Sequence, residues 1–303
     1  MKHIIESQQF SKEILFNLFK RADQLRENPE KKLNDKIMAS LFYEPSTRTR
    51  LSFESAMLKL GGKVIGTENA KEFSSAIKGE SIEDSIRVIS KYCDVIVIRH
   101  PIEGASKKAS LVSEKPIINA GDGKGQHPTQ ALLDVYTIYR EFKRLDNLKI
   151  AIVGDLANGR TARSLCYLLA KFNNNEIIFV SPENLQIGDD IKNYLKKKKI
   201  NFKEDFDLNK ILLEIDVIYM TRIQKERISS LDYEKAKGKY IINKNNLELI
   251  KKSSRILHPL PHVEEIDIPL EIEKNDERIA YFRQAENGLY IRMALLDIIL
   301  NNK

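Results

Sequence analysis

Short, mainly apolar runs alternate along this chain with longer segments whose apolar residues recur every three or four positions. Ile37 to Phe42, Lys63 to Gly66, Val95 to Ile98 and Ile117 to Asn119 read as strands in the first half. Lys149 to Val153, Glu176 to Val180, Val217 to Met220 and Arg255 to Leu257 do so in the second. Runs without a polar face suit strands covered on both sides, and helical stretches between them suit parallel crossovers. The expected fold class is therefore α/β, with two domains that are each a mainly parallel sheet flanked by helices. After the first strand Leu51, Phe53, Ala56, Met57 and Leu60 hold helical spacing. Ala131 to Arg140 reads as one helix between the halves, Leu289 to Leu300 as a closing helix, and Asn173-Asn174-Asn175 as a turn. Nearly every motif of polar residues starts where a strand ends, the edge at which open α/β sheets gather ligands.

Composition narrows the class. A chain of 303 residues with 42% hydrophobic content can bury sizeable cores, and its length favours two domains. No run reaches the 18 or so apolar residues of a membrane span, and the start, Met1 to Ser7, lacks the apolar core of a signal peptide, so the expected location is cytoplasmic, with no membrane partner. Cys93 and Cys166 each lie in an apolar stretch, which reads as reduced core thiols and gives no metal site. The net charge of +7 is spread over scattered runs such as Lys196 to Lys199 and Lys251-Lys252, with no nucleic-acid module beside it, so nucleic acid is not expected as a partner. A basic balance also favours anionic substrates.

The run Phe42-Tyr43-Glu44-Pro45-Ser46-Thr47-Arg48-Thr49-Arg50 is the densest chemistry in the chain. Pro45 stops strand pairing. Ser46 to Thr49 would then set free N–H groups, hydroxyls and the positive end of a helix around one anion, and Arg48 adds a guanidinium fork. Taken alone, the run reads more readily as a capped helix with surface arginines.

Its context is more specific. In order, the chain carries Lys78-Gly79-Glu80-Ser81, Arg99-His100-Pro101, Asn119 to Gly123, Gln126-His127-Pro128-Thr129-Gln130, Gly154-Asp155-Leu156, Gly159-Arg160-Thr161, Thr221 to Arg227, and His258-Pro259-Leu260-Pro261. This series, from about residue 40 to the C-terminus, resembles the aspartate and ornithine carbamoyltransferases. The resemblance implies a carbamoyl-phosphate-binding domain over 1–133, completed by a C-terminal helix over 286–303, and an aspartate-binding domain over 134–285. Two helices would join them. It also implies transfer of the carbamoyl group of carbamoyl phosphate to L-aspartate, giving N-carbamoyl-L-aspartate and phosphate in pyrimidine synthesis.

By the same resemblance Ser46, Thr47, Arg48 and Thr49 hold the phosphate, while Thr49, Arg99 and His127 polarise the carbonyl oxygen. Gln130 fixes the carbamoyl amide, and the Leu260 carbonyl faces that amide and the incoming amine across a cis Leu260-Pro261 bond. Ser74 and Lys78 touch substrates from a loop that crosses into a neighbouring subunit, which implies a homotrimer with shared sites. Arg160, Arg222 and Gln224, with Lys78 and Leu260, receive aspartate. Arg48, Thr49, Lys78, Arg99 and His127 are the catalytic set. Glu80 is expected to orient an arginine such as Arg48. Charge grows on two oxygens in this reaction, so cations and donors fit it better than a nucleophilic triad, and neither a metal nor a cofactor is expected.

Arginine forks match two carboxylates, and Pro259 stands where ornithine members carry cysteine, so aspartate is favoured over ornithine or another amine. A catalytically silent subunit has no chemical need for the full set. His262, Ala157-Asn158 and Lys124-Gly125 depart from the family's common arginine, Lys-Tyr and Ser-Asn. The loss of arginine at His262 is expected to weaken a charge network and alter aspartate affinity. Regulatory chains could join such trimers. Lys107 and Lys108 are candidates for that contact but read more readily as plain surface.

Overall fold

The computed structural model describes residues 2–70, 75–225, 228–230, 233–234 and 237–301. The chain divides into two compact units, Met1–Leu133 with Glu286–Lys303, and Asp134–Ala285.

In the first unit β1 (Ile37–Phe42), β2 (Lys63–Glu68), β3 (Val95–His100) and β4 (Ile117–Asp122) form a parallel sheet in the order β2-β1-β3-β4. Helices α1 (Lys12–Glu27), α2 (Thr47–Lys59), α3 (Ile82–Ile89) and α4 (Ala105–Val112) belong to it. Every residue of β1 after Ile37 is buried, as expected of a strand covered on both faces. Ala39, Leu41, Ile96, Ile98 and Ile117 pack with Ile86 and Ala109 of the helices on one side. Ser11 caps α1 and Ser81 caps α3, each hydroxyl accepting from the N–H three residues on. An N-terminal segment adds to the sheet edge, where Ile4 bridges Ile118.

In the second unit β5 (Lys149–Val153), β6 (Glu176–Val180), β7 (Asn201–Asp205), β8 (Val217–Met220) and β10 (Arg255–Leu257) are parallel in the order β10-β8-β5-β6-β7. A two-stranded pair joins β9 (Ile242–Asn243) to β11 (Ile266–Asp267). Helices α6 (Arg160–Leu169), α7 (Asp189–Lys197), α8 (Leu208–Ile211), α9 (Lys244–Leu247) and α10 (Leu270–Asn275) complete the unit. The chain passes between the units within α5 (Pro128–Phe142) and returns within α11 (Tyr281–Asn301).

Five of the eight expected strands have the expected ends. β2, β3 and β4 run two or three residues further, because ladder pairing carries polar residues such as Glu68, Arg99 and Asp122 that read locally as loop. β7 was not expected: it is a polar edge strand, Asn-Phe-Lys-Glu-Asp, paired only with β6. α5 starts at Pro128, a residue suited to a first turn because it has no N–H to leave unpaired. Asn174 has φ 56° in the expected turn, and Asn175 is buried there. Cys93 and Cys166 are both free and buried, and burial pushes the Cys93 thiol up to about 11. Among the described residues, no helix is long and apolar enough to cross a membrane.

Candidate active site

In each unit the strand order reverses direction at one place, between β1 and β3 and between β5 and β8. Crevices beyond the carboxyl ends of strands open at such points. Most of the expected residues sit there.

In the first unit, Phe42 is in register with Arg99, and the next N–H, of Tyr43, donates to the Arg99 carbonyl at 2.9 Å. Arg99 thus stands beside the turn that leads from β1 into α2. Its Nε lies 2.7 Å from Oε1 of Glu44, close enough for an ion pair although the N–H is not aligned for a hydrogen bond. Ser46 is the N-cap of α2, yet its hydroxyl accepts no cap bond from the helix. The first-turn N–H groups therefore keep their positive end for another acceptor. Thr49, in that turn, is 7% exposed. Arg48 is exposed, and among the described residues it has no carboxylate partner. Even so, the protein around its guanidinium removes enough solvent to lower its pKa.

The expected pairing of Glu80 with Arg48 is corrected by these positions: the Glu80 carboxylate accepts from the Ser85 hydroxyl at 2.5 Å. Glu44 is a carboxylate set against an arginine of this group. Arg50 points elsewhere, 3.5 Å from Glu54, which also accepts from Ser40.

Behind α2, Arg292 of α11 is 3% exposed, donates to the Ser52 hydroxyl at 2.9 Å and lies 5.1 Å over the Phe53 ring. His127 follows β4 and is 4% exposed, with Nδ1 3.4 Å from the Thr129 hydroxyl. The backbone N–H groups of Gln130 and Ala131 donate to the His127 carbonyl. Asp122 organises the approach to it, accepting from the N–H groups of Gly104 and Gln126 and from the Asn119 amide. Gly123 has φ 47°, and a Cβ there would sit 2.7 Å from the Glu103 nitrogen. Next to Arg99, His100 packs 4.9 Å from the Tyr43 ring; desolvation lowers its pKa against the pull of Glu44 and Asp122. Lys78 ends a short 3-10 turn and is exposed. Ser74 lies outside the described residues, as do Glu226 and Arg227.

In the second unit, Val153 and Met220 end paired strands. Gly154 has φ +115°, and a Cβ on it would meet the Thr221 carbonyl oxygen at 2.0 Å, so only glycine lets the two chain exits lie so close. Asp155 is fully buried and accepts from the N–H and the amide of Asn158. Asn158, one of the departures from the family pattern, thereby ties down the loop that presents Arg160 at the start of α6. Arg222 and Gln224 follow β8 outside any helix or strand, both partly buried.

β10 leads into His258, which is 2% exposed. Its Nδ1 accepts from the Leu260 N–H at 2.7 Å and its Nε2 lies 2.8 Å from Glu265. Leu260 has φ +57° and a cis bond to Pro261. Burial raises the Glu265 carboxyl, but hydrogen bonds from His258 and the Val263 N–H outweigh it and hold the pKa below the usual range. His262 sits 3.4 Å from Glu273, among the rings of Tyr281 and Phe282. It thus keeps a carboxylate contact where arginine was expected. Lys107 and Lys108 are exposed.

Glu44, Asp122, Asn158 and His258 were not expected to act on the site. Each lies inside or beside a motif, but their roles depend on partners the motifs do not contain.

Two family models divide the chain between them. The aspartate/ornithine carbamoyltransferase carbamoyl-P binding domain matches residues 2–140, and the Asp/Orn binding domain of the same family matches residues 146–299. Aspartate carbamoyltransferase 3, chloroplastic, of Pisum sativum is 55% identical over 304 residues, covering 98% of this chain and 77% of its own. The aspartate carbamoyltransferase catalytic subunit of Clostridium acetobutylicum is 48% identical, covering 97% and 96%. Among solved structures, the catalytic subunit of M. jannaschii aspartate transcarbamoylase superposes with a TM-score of 0.91 at 49% identity, covering 100% and 99% of the two chains. The Trypanosoma cruzi enzyme in complex with N-(phosphonacetyl)-L-aspartic acid does so at 0.91 and 37%, covering 97% and 94%. With both halves matched in order and the whole fold shared, this chain belongs to the aspartate/ornithine carbamoyltransferase family.

Proposed function

We propose that this chain transfers the carbamoyl group of carbamoyl phosphate to L-aspartate, forming N-carbamoyl-L-aspartate and phosphate for pyrimidine synthesis. The observation that carries the reading is the alignment of β1, β3 and β4: their carboxyl ends lie side by side, and they lead to Ser46–Thr49, Arg99 and His127. Relatives and structural neighbours named as aspartate carbamoyltransferases support the substrate pair, including a Trypanosoma cruzi structure with carbamoyl phosphate and aspartate.

In this reading the α-amine of aspartate attacks the carbonyl carbon, a C–N bond forms, and the bond to the bridging phosphate oxygen breaks. The amine's proton leaves with the phosphate, so no protein base is required. Thr49, Arg99 and His127 stabilise the carbonyl oxygen as charge builds on it, and Ser46, Thr47 and Arg48 hold the departing phosphate at the start of α2. Gln130 and the Leu260 carbonyl fix the carbamoyl amide. Arg160, Arg222 and Gln224 receive the two aspartate carboxylates.

Lys78, with Ser74 by the family resemblance, serves the neighbouring subunit's site, so the active unit is a homotrimer in the cytoplasm, open to a regulatory chain. Exposed Ile77, beside Lys78, supports the loop's availability. Sedimentation of the pure chain as a monomer that turns over substrate would overturn the shared site.

The first experiment is product formation with carbamoyl phosphate and either L-aspartate or L-ornithine, with Arg48→Ala as control. Aspartate-dependent product lost in the control is the expected result. Ornithine turnover would overturn the specificity, and no turnover with either amine would point to a silent subunit.

A further inference from the structure

Behind the aspartate half of the site runs a buried chain of hydrogen bonds that no substrate contact explains. Tyr219 of β8 donates through its hydroxyl to Asp134 at 2.8 Å. Gln284 of α11 donates through Nε2 to the other oxygen of Asp134 at 2.6 Å, and its Oε1 accepts from the backbone N–H of His258 at 2.8 Å. From His258 the chain reaches Glu265 on one side and the Leu260 N–H on the other. Asp134, Tyr219, Gln284, His258 and Glu265 are all at most 4% exposed. Thr161, next to Arg160, lies close enough to the Tyr219 hydroxyl to influence its ionisation.

We infer that Gln284 is a positioning residue for aspartate, its amide joining Asp134 to the His258–Leu260 turn and, through Tyr219, to the start of α6. This rests on the proposed roles of Leu260 and Arg160. The amide orientation is dictated by its neighbours: a backbone N–H can only donate, and a carboxylate can only accept. Glutamine offers an acceptor at one end of its planar group and a donor at the other at every pH. His258 then relays the constraint. Because its Nδ1 accepts from Leu260, it carries one proton, on Nε2, and its ring is held between Glu265 and the turn.

A residue with a Cβ is disfavoured in the left-handed region, so Leu260 depends on this frame to hold its φ of +57°.

Gln284→Glu preserves shape and replaces the donor by a second carboxyl against Asp134. The groups facing it are Asp134, Tyr219, His258 and Glu265, while the adjacent Arg283 is bonded to Glu141. At low pH a shared proton lets the new carboxyl still donate, and as the pH rises two carboxylates confront each other. The expected result is a kcat/KM for aspartate about tenfold or more below wild type at pH 8, recovering as the pH falls toward 6. Tyr219→Phe, a smaller lesion at the far end, is expected to shift the same parameter about threefold and serves if the first variant does not fold. Hydrogen exchange read on the peptide spanning 257–263 gives an answer independent of turnover: the His258 and Leu260 amides are expected to exchange faster in both variants. A pH profile parallel to wild type or unchanged exchange would overturn the assignment. Absence of aspartate turnover in the wild type would instead overturn the proposed function and leave the exchange result to decide the positioning.

Discussion

The Leu260 backbone N–H points at Nδ1 of His258 from 2.7 Å, which fixes that histidine as a neutral ring with its single proton facing Glu265. The pair is therefore a neutral donor against a buried carboxylate, and removing the donor strands the charge. His258→Ala is expected to destabilise the fold by about 2–4 kcal/mol, read as a lower urea midpoint; an unchanged midpoint would contradict the tautomer argued here.

Acid sensitivity follows from the same carboxylate. Glu265 has a folded pKa below its ordinary value, so its contribution to stability is complete above the ordinary carboxylate range and lost as pH falls through the lowered folded value. Glu141 behaves alike: burial raises it, but Arg283 and Arg255, at 2.8 and 2.6 Å, outweigh that and hold it down. Glu141→Gln and Glu265→Gln should each flatten the fall in stability below about pH 4.5, measured as melting temperature against pH. Slopes identical to wild type would rule the two groups out as its source.

Arg48 offers the cleanest separation of chemistry from folding. It is exposed and without an ion pair among the described residues, so Arg48→Ala should leave the melting temperature nearly unchanged while lowering turnover by about 10²–10³. Equal losses of both would mark it as structural.

Glu44 should act through Arg99. Glu44→Gln keeps the shape and removes the charge 2.7 Å from Nε, with an expected loss of about tenfold in kcat/KM for carbamoyl phosphate. Full activity in that variant would show that Arg99 needs no carboxylate to hold it.

Gly154→Ala tests the crossing of two chain exits. A methyl group 2.0 Å from the Thr221 oxygen, on backbone at φ +115°, should cost about 3 kcal/mol or prevent folding. A variant as stable as wild type would mean the β5 and β8 exits are further apart than described.

Much of this could be read from the sequence because it is local. Ile37 to Phe42 has no polar side and must be covered on both faces, and Ser46 to Arg50 places hydroxyls and cations where a helix begins; neither depends on distant residues. The order of the motifs along the chain likewise named the family before any contact was known. The polar strand Asn201–Asp205 carries no such local signal, because pairing with β6, not its own pattern, makes it a strand.

What only the tertiary structure decided are the partners of buried charge. Glu80 and Glu44 are both carboxylates near motif arginines, and nothing local says that Glu44 meets Arg99 while Glu80 takes the Ser85 hydroxyl. Asp134, Tyr219 and Gln284 are separated by 85 and 150 positions and read singly as core helix or strand residues. A buried polar group must find its partner in space, and that choice is made by which strands and helices pack together.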